Sequence, residues 1–187
     1  VGIGRATAKV LAEQGYQLVL LARRAEKLEA LAAELSTPAH LIACDINDHA
    51  ALDEALASIP DAFRNPDVLV NNAGLALGLK SADQTDWLDW QTMIQTNCLS
   101  LAYLTRQILP LMVARNQGHI INLGSIAGRY PYQGGNVYGA TKAFVEQFSR
   151  NLRTDVLGKQ IRVTNLSPGI IGTVSYTHLT LPTSHCV

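Results

Sequence analysis

Short apolar runs alternate along the chain with stretches in which apolar residues recur three and four positions apart. The runs cover 17–22, 41–44, 67–70, 119–123 and 161–166, each of strand length and bounded by turn-forming residues. The helical stretches cover 5–14, 25–35, 48–59, 86–114 and 137–157, with Pro110 placed to bend or end the fourth. Strand then helix, repeated with short connections, predicts an α/β fold: a doubly wound parallel sheet with right-handed crossovers and helices on both faces. Ligands in such sheets sit at the carboxyl ends of the strands, so chemistry is sought in the residues just after each run.

Composition narrows this mainly by exclusion. The 187 residues are 48% apolar and 16% charged, below the roughly 25% charged that is usual for a globular domain. That suits a sheet covered on both faces and excludes disorder. Its 15 Lys+Arg against 15 Asp+Glu remove the attraction that a nucleic-acid or polybasic membrane binder needs. No apolar run approaches the roughly 18 residues of a membrane span. Cys44, Cys98 and Cys186, odd in number and far apart, argue against a disulfide framework and suit a reducing cytoplasm. Val1-Gly-Ile-Gly-Arg5 has neither a signal-peptide layout nor an initiator Met, so the chain is expected to start inside a motif.

Gly2-Ile3-Gly4 before a helical stretch reads either as an ordinary tight turn or as the second half of a glycine-rich turn. The latter lets a pyrophosphate lie against the positive end of a helix, as in a Rossmann-type fold. About twenty residues on, where such folds read the adenosine ribose, stand Arg23 and Arg24. An acidic residue there would bind a 2′-hydroxyl, whereas guanidinium groups suit a 2′-phosphate, which favours NADP(H) over NAD; the alternative is two solvated arginines. Asp45, before Ile46, could accept from an adenine amino group or cap the next helix.

Asn72-Ala73-Gly74 follows the third run, Ser125 the fourth, and Tyr138 stands four residues before Lys142 in the last helical stretch. That spacing puts phenol and ammonium on one helix face, about 6 Å apart. A phenol is a poor acid or base near neutrality unless an adjacent cation stabilises its phenolate, which Lys142 can do. Ser125 can donate to a carbonyl oxygen whose charge grows as hydride arrives, while Tyr138 hands it a proton.

With these motifs together the chain resembles the short-chain dehydrogenase/reductases. Within them, 69–78, 134–144 and 151–155 resemble the NADP-dependent 3-hydroxy acid dehydrogenases. The resemblance implies an oxidoreductase moving hydride between NADP(H) and a small 3-hydroxy acid or its 3-oxo partner: serine, L-allo-threonine, or 3-hydroxypropionate and malonic semialdehyde. It makes Tyr138 the acid/base and Lys142 its partner and ribose ligand. Ser125, with Tyr138, becomes the substrate-carbonyl contact, and Asn97 the anchor of a proton-relay water. Asn72, Ala73 and Gly74 lie beside the cofactor, Pro168 and Gly169 on its nicotinamide side, and Thr173 is a further cofactor contact. A cytoplasmic homo-oligomer, dimer or tetramer, joined through 86–114 and 137–157, is also implied.

Residues 1–173 are expected to form this one domain, lacking its first strand and its C-terminal part, which would leave a gap in the sheet and weaken cofactor binding. Residues 174–187 fit neither a helix nor a strand of the family and read as a non-native tail. His178, His185 and Cys186 within it match no zinc spacing, so no metal is expected. His119, at a strand start, reads as a loop or half-buried histidine rather than a catalyst, and Trp87 and Trp90 as packing or subunit contacts. The competing readings are a carbonyl reductase of other substrate, a nucleotide-binding module without catalysis, or an inactive fragment of such an enzyme.

Overall fold

The computed structural model describes residues 2–78 and 80–169. Five strands, β1 (Leu18–Ala22), β2 (Ala39–Ala43), β3 (Val68–Asn71), β4 (Gly118–Leu123) and β5 (Ile161–Leu166), alternate with helices. The helices are α1 (Gly2–Glu13), α2 (Ala25–Ala32), α3 (His49–Ala57), α4 (Trp87–Ile94), α5 (Leu101–Arg115) and α6 (Asn136–Asp155). Every strand pair is parallel, Leu18 opposite Ala39, Val68 opposite His119 and Gly118 opposite Ile161. The fold is thus α/β and doubly wound, with all strand carboxyl ends on one edge.

The pairing falls into two parts, β1-β2 and β3-β4-β5. A backbone ladder reaches only the adjacent strand, about 4.8 Å away, and among the described residues none bridges β1 and β3. Both strands line one cavity of about 1280 Å³. The apolar core does not follow that division, because its larger cluster runs from Ile42 of β2 across to Val163 of β5. Ile42, Leu52, Leu104, Ile108, Met112, Ile120, Leu152 and Val163 form the larger cluster, while Ala8, Ala12 and Leu18 form a smaller one under α1.

Three local expectations are corrected. The helix predicted from residue 5 begins at Gly2, so Gly2-Ile3-Gly4 is its first turn; only Gly2 has the positive φ, 64°, that marks a turn. The stretch 86–114 is interrupted by a π-helical turn, Gln95–Ser100, between α4 and α5. Of the two outcomes expected at Pro110, ending the helix is excluded, since α5 runs on to Arg115 with Ile108 and Met112 buried on either side of the proline. The helix stops at Asn116, whose left-handed φ of 52° closes it.

The divided sheet makes a prediction about backbone protection. By hydrogen exchange, the amides of β4, paired on both sides, exchange slowest, and those of β1 and β3 exchange at least about tenfold faster.

Candidate active site

The carboxyl edge gathers most of the residues singled out from sequence. Gly4, Arg23, Arg24, Asp45, Ile46 and Asn72 to Gly74 all line the large cavity. Gly4 lies close under the Asn72 side chain, and a Cβ there would displace the Asn72 amide, standing 2.6 Å from its Nδ2. The first N–H groups of α1, including those of Gly2 and Ile3, have no acceptor within the helix and form a ready seat for phosphate. Arg23 and Arg24 are exposed just beyond β1, and neither is used in an ion pair among the described residues. This edge therefore fits a dinucleotide carrying an extra phosphate. Capping of α3 falls to Asp48, which accepts from Ala51 N at 3.1 Å. Asp45 instead bonds Asn47 N through one oxygen, at 3.0 Å. Ile46 is buried in the core.

The second half of the edge is built on α6. Tyr138 and Lys142 are both buried, and Lys142 Nζ stands 5.8 Å from the Tyr138 ring centroid and donates to Leu123 O at 2.8 Å. Burial, the larger effect, pulls the Lys142 pKa down to about 8. The Cys98 thiol nearby is pushed up to about 11 by burial, partly offset by the Lys142 charge. Ser125 lies two residues beyond β4 and caps a short 3₁₀ turn, Ile126–Gly128, its Oγ accepting from Ala127 N at 3.2 Å. Two glycines let that turn touch α6 backbone to backbone. A Cβ on Gly128 would lie 2.7 Å from the Lys142 carbonyl carbon, and one on Gly139 2.9 Å from Ala127 O. Ile126 N in turn bonds Pro168 O at 3.2 Å, and Gly169 lies against Ile126. Thr173, His178, His185, Cys186 and the proposed tail lie outside the described residues.

Asn97 occupies the π-helical turn and is 1% exposed. Its Oδ1 accepts from Leu75 N at 2.9 Å, and its Nδ2 donates to Leu75 O and Thr141 Oγ1. It thereby pins the strand-end loop to α6, above Gly74, where a Cβ would sit 3.3 Å from both Asn97 Oδ1 and Lys142 Nζ.

Several polar residues that hold this arrangement are missing from the sequence reading. Asn71 Nδ2 donates to Thr105 Oγ1 and Asn122 Oδ1, and Asn122 Nδ2 to Ser149 Oγ, a buried chain tying β3 and β4 to α5 and α6. Asn47 joins the turn after β2 to the π-helical turn through Thr96 and Ser100. The available signal was the placing of asparagines at the ends of apolar strand runs, where an unpaired amide would be costly. Trp90 donates to Asn136 Oδ1 at the start of α6, whereas Trp87 is exposed. His119 pairs with Thr164 Oγ1 across β4 and β5, and burial lowers its pKa. Among the described residues no group of His, Cys, Asp and Glu could hold a metal, and no helix is long and apolar enough to cross a membrane.

The chain is similar in sequence and fold to known proteins. A family model for the short chain dehydrogenases matches residues 1–181. The NADP-dependent 3-hydroxy acid dehydrogenase YdfG of Shigella flexneri is 49% identical over 178 residues, 95% of this chain and 72% of that protein. The serine 3-dehydrogenase of Agrobacterium fabrum is 51% identical over 172 residues, 92% of this chain and 69% of that one. The solved structure of serine dehydrogenase from Escherichia coli superposes with a TM-score of 0.89 at 50% identity, covering 92% of this chain and 79% of that chain. A closed form of serine dehydrogenase complexed with NADP+ gives 0.88 at 51%, covering 90% and 68%. This chain belongs to the short-chain dehydrogenase family.

Proposed function

We propose that the chain is an NADP(H)-dependent oxidoreductase acting on a small 3-hydroxy acid, such as serine, L-allo-threonine or 3-hydroxypropionate, and the matching 3-oxo acid. The observation that carries this reading is the buried Lys142 ammonium beside Tyr138, with the Ser125 turn lying on the same helix. The names of the relatives support the substrate class and the cofactor.

Bound NADP(H) supplies or accepts the hydride. The N–H groups at Gly2, Ile3 and Gly4 would hold its pyrophosphate, Arg23 and Arg24 its 2′-phosphate, and Asp45 and Ile46 its adenine. Asn72, Ala73, Gly74, Pro168 and Gly169 would flank its nicotinamide half, with Lys142 and Tyr138 on the ribose. In the reductive direction the Tyr138 hydroxyl gives its proton to the substrate oxygen, and in the oxidative direction the phenolate takes it back. Lys142 favours that phenolate by its charge, and the Ser125 hydroxyl donates to the same oxygen as negative charge builds there. Both Asn97 amide protons are used on Leu75 and Thr141, so a relay water would have to be held by its remaining oxygen lone pair or its main chain.

Two outcomes test this reading. Steady-state oxidation of L-allo-threonine or L-serine with NADP falls about 10²- to 10⁴-fold on Tyr138→Phe, the range expected for a lost acid/base; near-normal turnover sinks the mechanism. Arg23→Ala with Arg24→Ala raises KM for NADP roughly 10- to 100-fold, the equivalent of about 1.5–3 kcal/mol for a charged hydrogen bond, and leaves KM for NAD nearly unchanged; equal effects on both cofactors exclude the 2′-phosphate role.

A further inference from the structure

Arg129 lies four residues beyond Ser125, at the end of the Ile126–Gly128 turn. Its guanidinium reaches across to α6 and grips Glu146. Nε donates to Oε1 at 3.0 Å and Oε2 at 2.8 Å, and one terminal nitrogen donates to Oε1 at 2.8 Å. Glu146 stands one helical turn beyond Lys142, which itself stands one turn beyond Tyr138, so all three share a face of α6. An exposed ion pair would contribute little. In this pair the Arg129 side chain is 55% exposed, but the contact is a bidentate fork and its carboxylate belongs to a residue only 8% exposed.

The segment between Ser125 and Arg129 has little freedom to absorb movement. Gly128 N bonds Ser125 O, and Arg129 N and Tyr130 N both bond Ile126 O, at 2.9–3.1 Å. Gly128 and Gly139 already bring this turn against the helix backbone. Fixing the far end of so tight a turn fixes its near end, where the Ser125 hydroxyl stands. We infer that the Arg129–Glu146 pair is a latch, making Arg129 and Glu146 positioning residues that set the Ser125 hydroxyl against Tyr138 on α6. The inference deepens the proposed function and rests on it for its catalytic consequence, since a displacement of about 1 Å at a reacting group can cost on the order of 10² in rate.

Glu146 also accepts from Arg150, one turn further along the same helix. Loss of Arg129 therefore leaves the buried carboxylate paired, and Arg129→Ala is expected to fold. Arg150→Ala is the matched control, because it removes a guanidinium from the same carboxylate without touching the Ser125 turn. Two readouts are needed. In hydrogen exchange of the full chain, Arg129→Ala speeds the amides of residues 127–130 by about tenfold or more, and Arg150→Ala leaves them within about twofold. In kinetics with L-allo-threonine and NADP, Arg129→Ala lowers kcat by about 10- to 100-fold with the NADP(H) dissociation constant unchanged, and Arg129→Lys recovers only part, because an ammonium cannot form the fork. In a Ser125→Ala background the same Arg129→Ala change costs less than about twofold, since the group it positions is gone.

Unchanged exchange in Arg129→Ala overturns the latch. So does a kcat loss of equal size with and without Ser125, or an equal loss from Arg150→Ala. A wild-type chain that oxidises no 3-hydroxy acid counts against the proposed substrate class alone, because the exchange readout decides the latch without it.

Discussion

A lysine ammonium that is only 7% exposed must be held by something other than water, and here that is the Leu123 carbonyl at the end of β4, 2.8 Å away. Much of the carboxyl edge is arranged around that demand. The carbonyl is available because it lies at the strand's end. The glycine at 74 leaves room for the ammonium, and the 3₁₀ turn after Ser125 closes over the backbone of the same helix. Burial makes the charge expensive, and the same burial makes it effective on the adjacent phenol, since a charge acts more strongly where water is excluded.

The polar core serves the same end at longer range. Asn97 holds the loop after β3 to Thr141 of α6, and the Asn71–Asn122–Ser149 chain fixes β3, β4 and α6 relative to one another. Their donors are all paired across elements, although Asn71 Oδ1 is buried without a partner, and these cross-element bonds favour one register of strand ends against α6. The larger apolar cluster, from Ile42 on β2 to Val163 on β5, supplies the adhesion. No ladder joins β1 to β3, which line one cavity, so the edge carrying Arg23 and Arg24 and the edge carrying Tyr138 are joined through helices and buried side chains.

The alternation of strand and helix was legible from periodicity, because each run buries apolar residues at the spacing its element imposes. Tyr138 and Lys142 were legible because four-residue spacing in a helix fixes a shared face. The placing of Arg23 and Arg24 at the carboxyl end of β1 was legible because the apolar run ends just before them. What escaped depends on non-local geometry. No local pattern announces that residues 95–100 wind as a π-helical turn, that Asp48 rather than Asp45 caps α3, or that helix α5 continues through Pro110. Those outcomes follow from partners dozens of residues away, such as Thr141 for Asn97 and Thr96 for Asn47. Nor does any local pattern pair Arg129 with Glu146, seventeen residues away, which the turn after Ser125 brings face to face.

The central claim is that Lys142 is kept desolvated beside Tyr138, and its proton affinity reports this directly. In the folded chain its pKa stands at about 8 against an ordinary 10.5, so the unfolded chain binds more protons between those values and stability must rise with pH there. The comparison is unfolding free energy in denaturant for wild type and Lys142→Met across that range. The difference, wild type minus variant, is expected to climb by roughly 3 kcal/mol between pH 8 and 10.5. A difference that stays flat, or falls as pH rises, would mean that the Lys142 ammonium is solvated, contradicting the account.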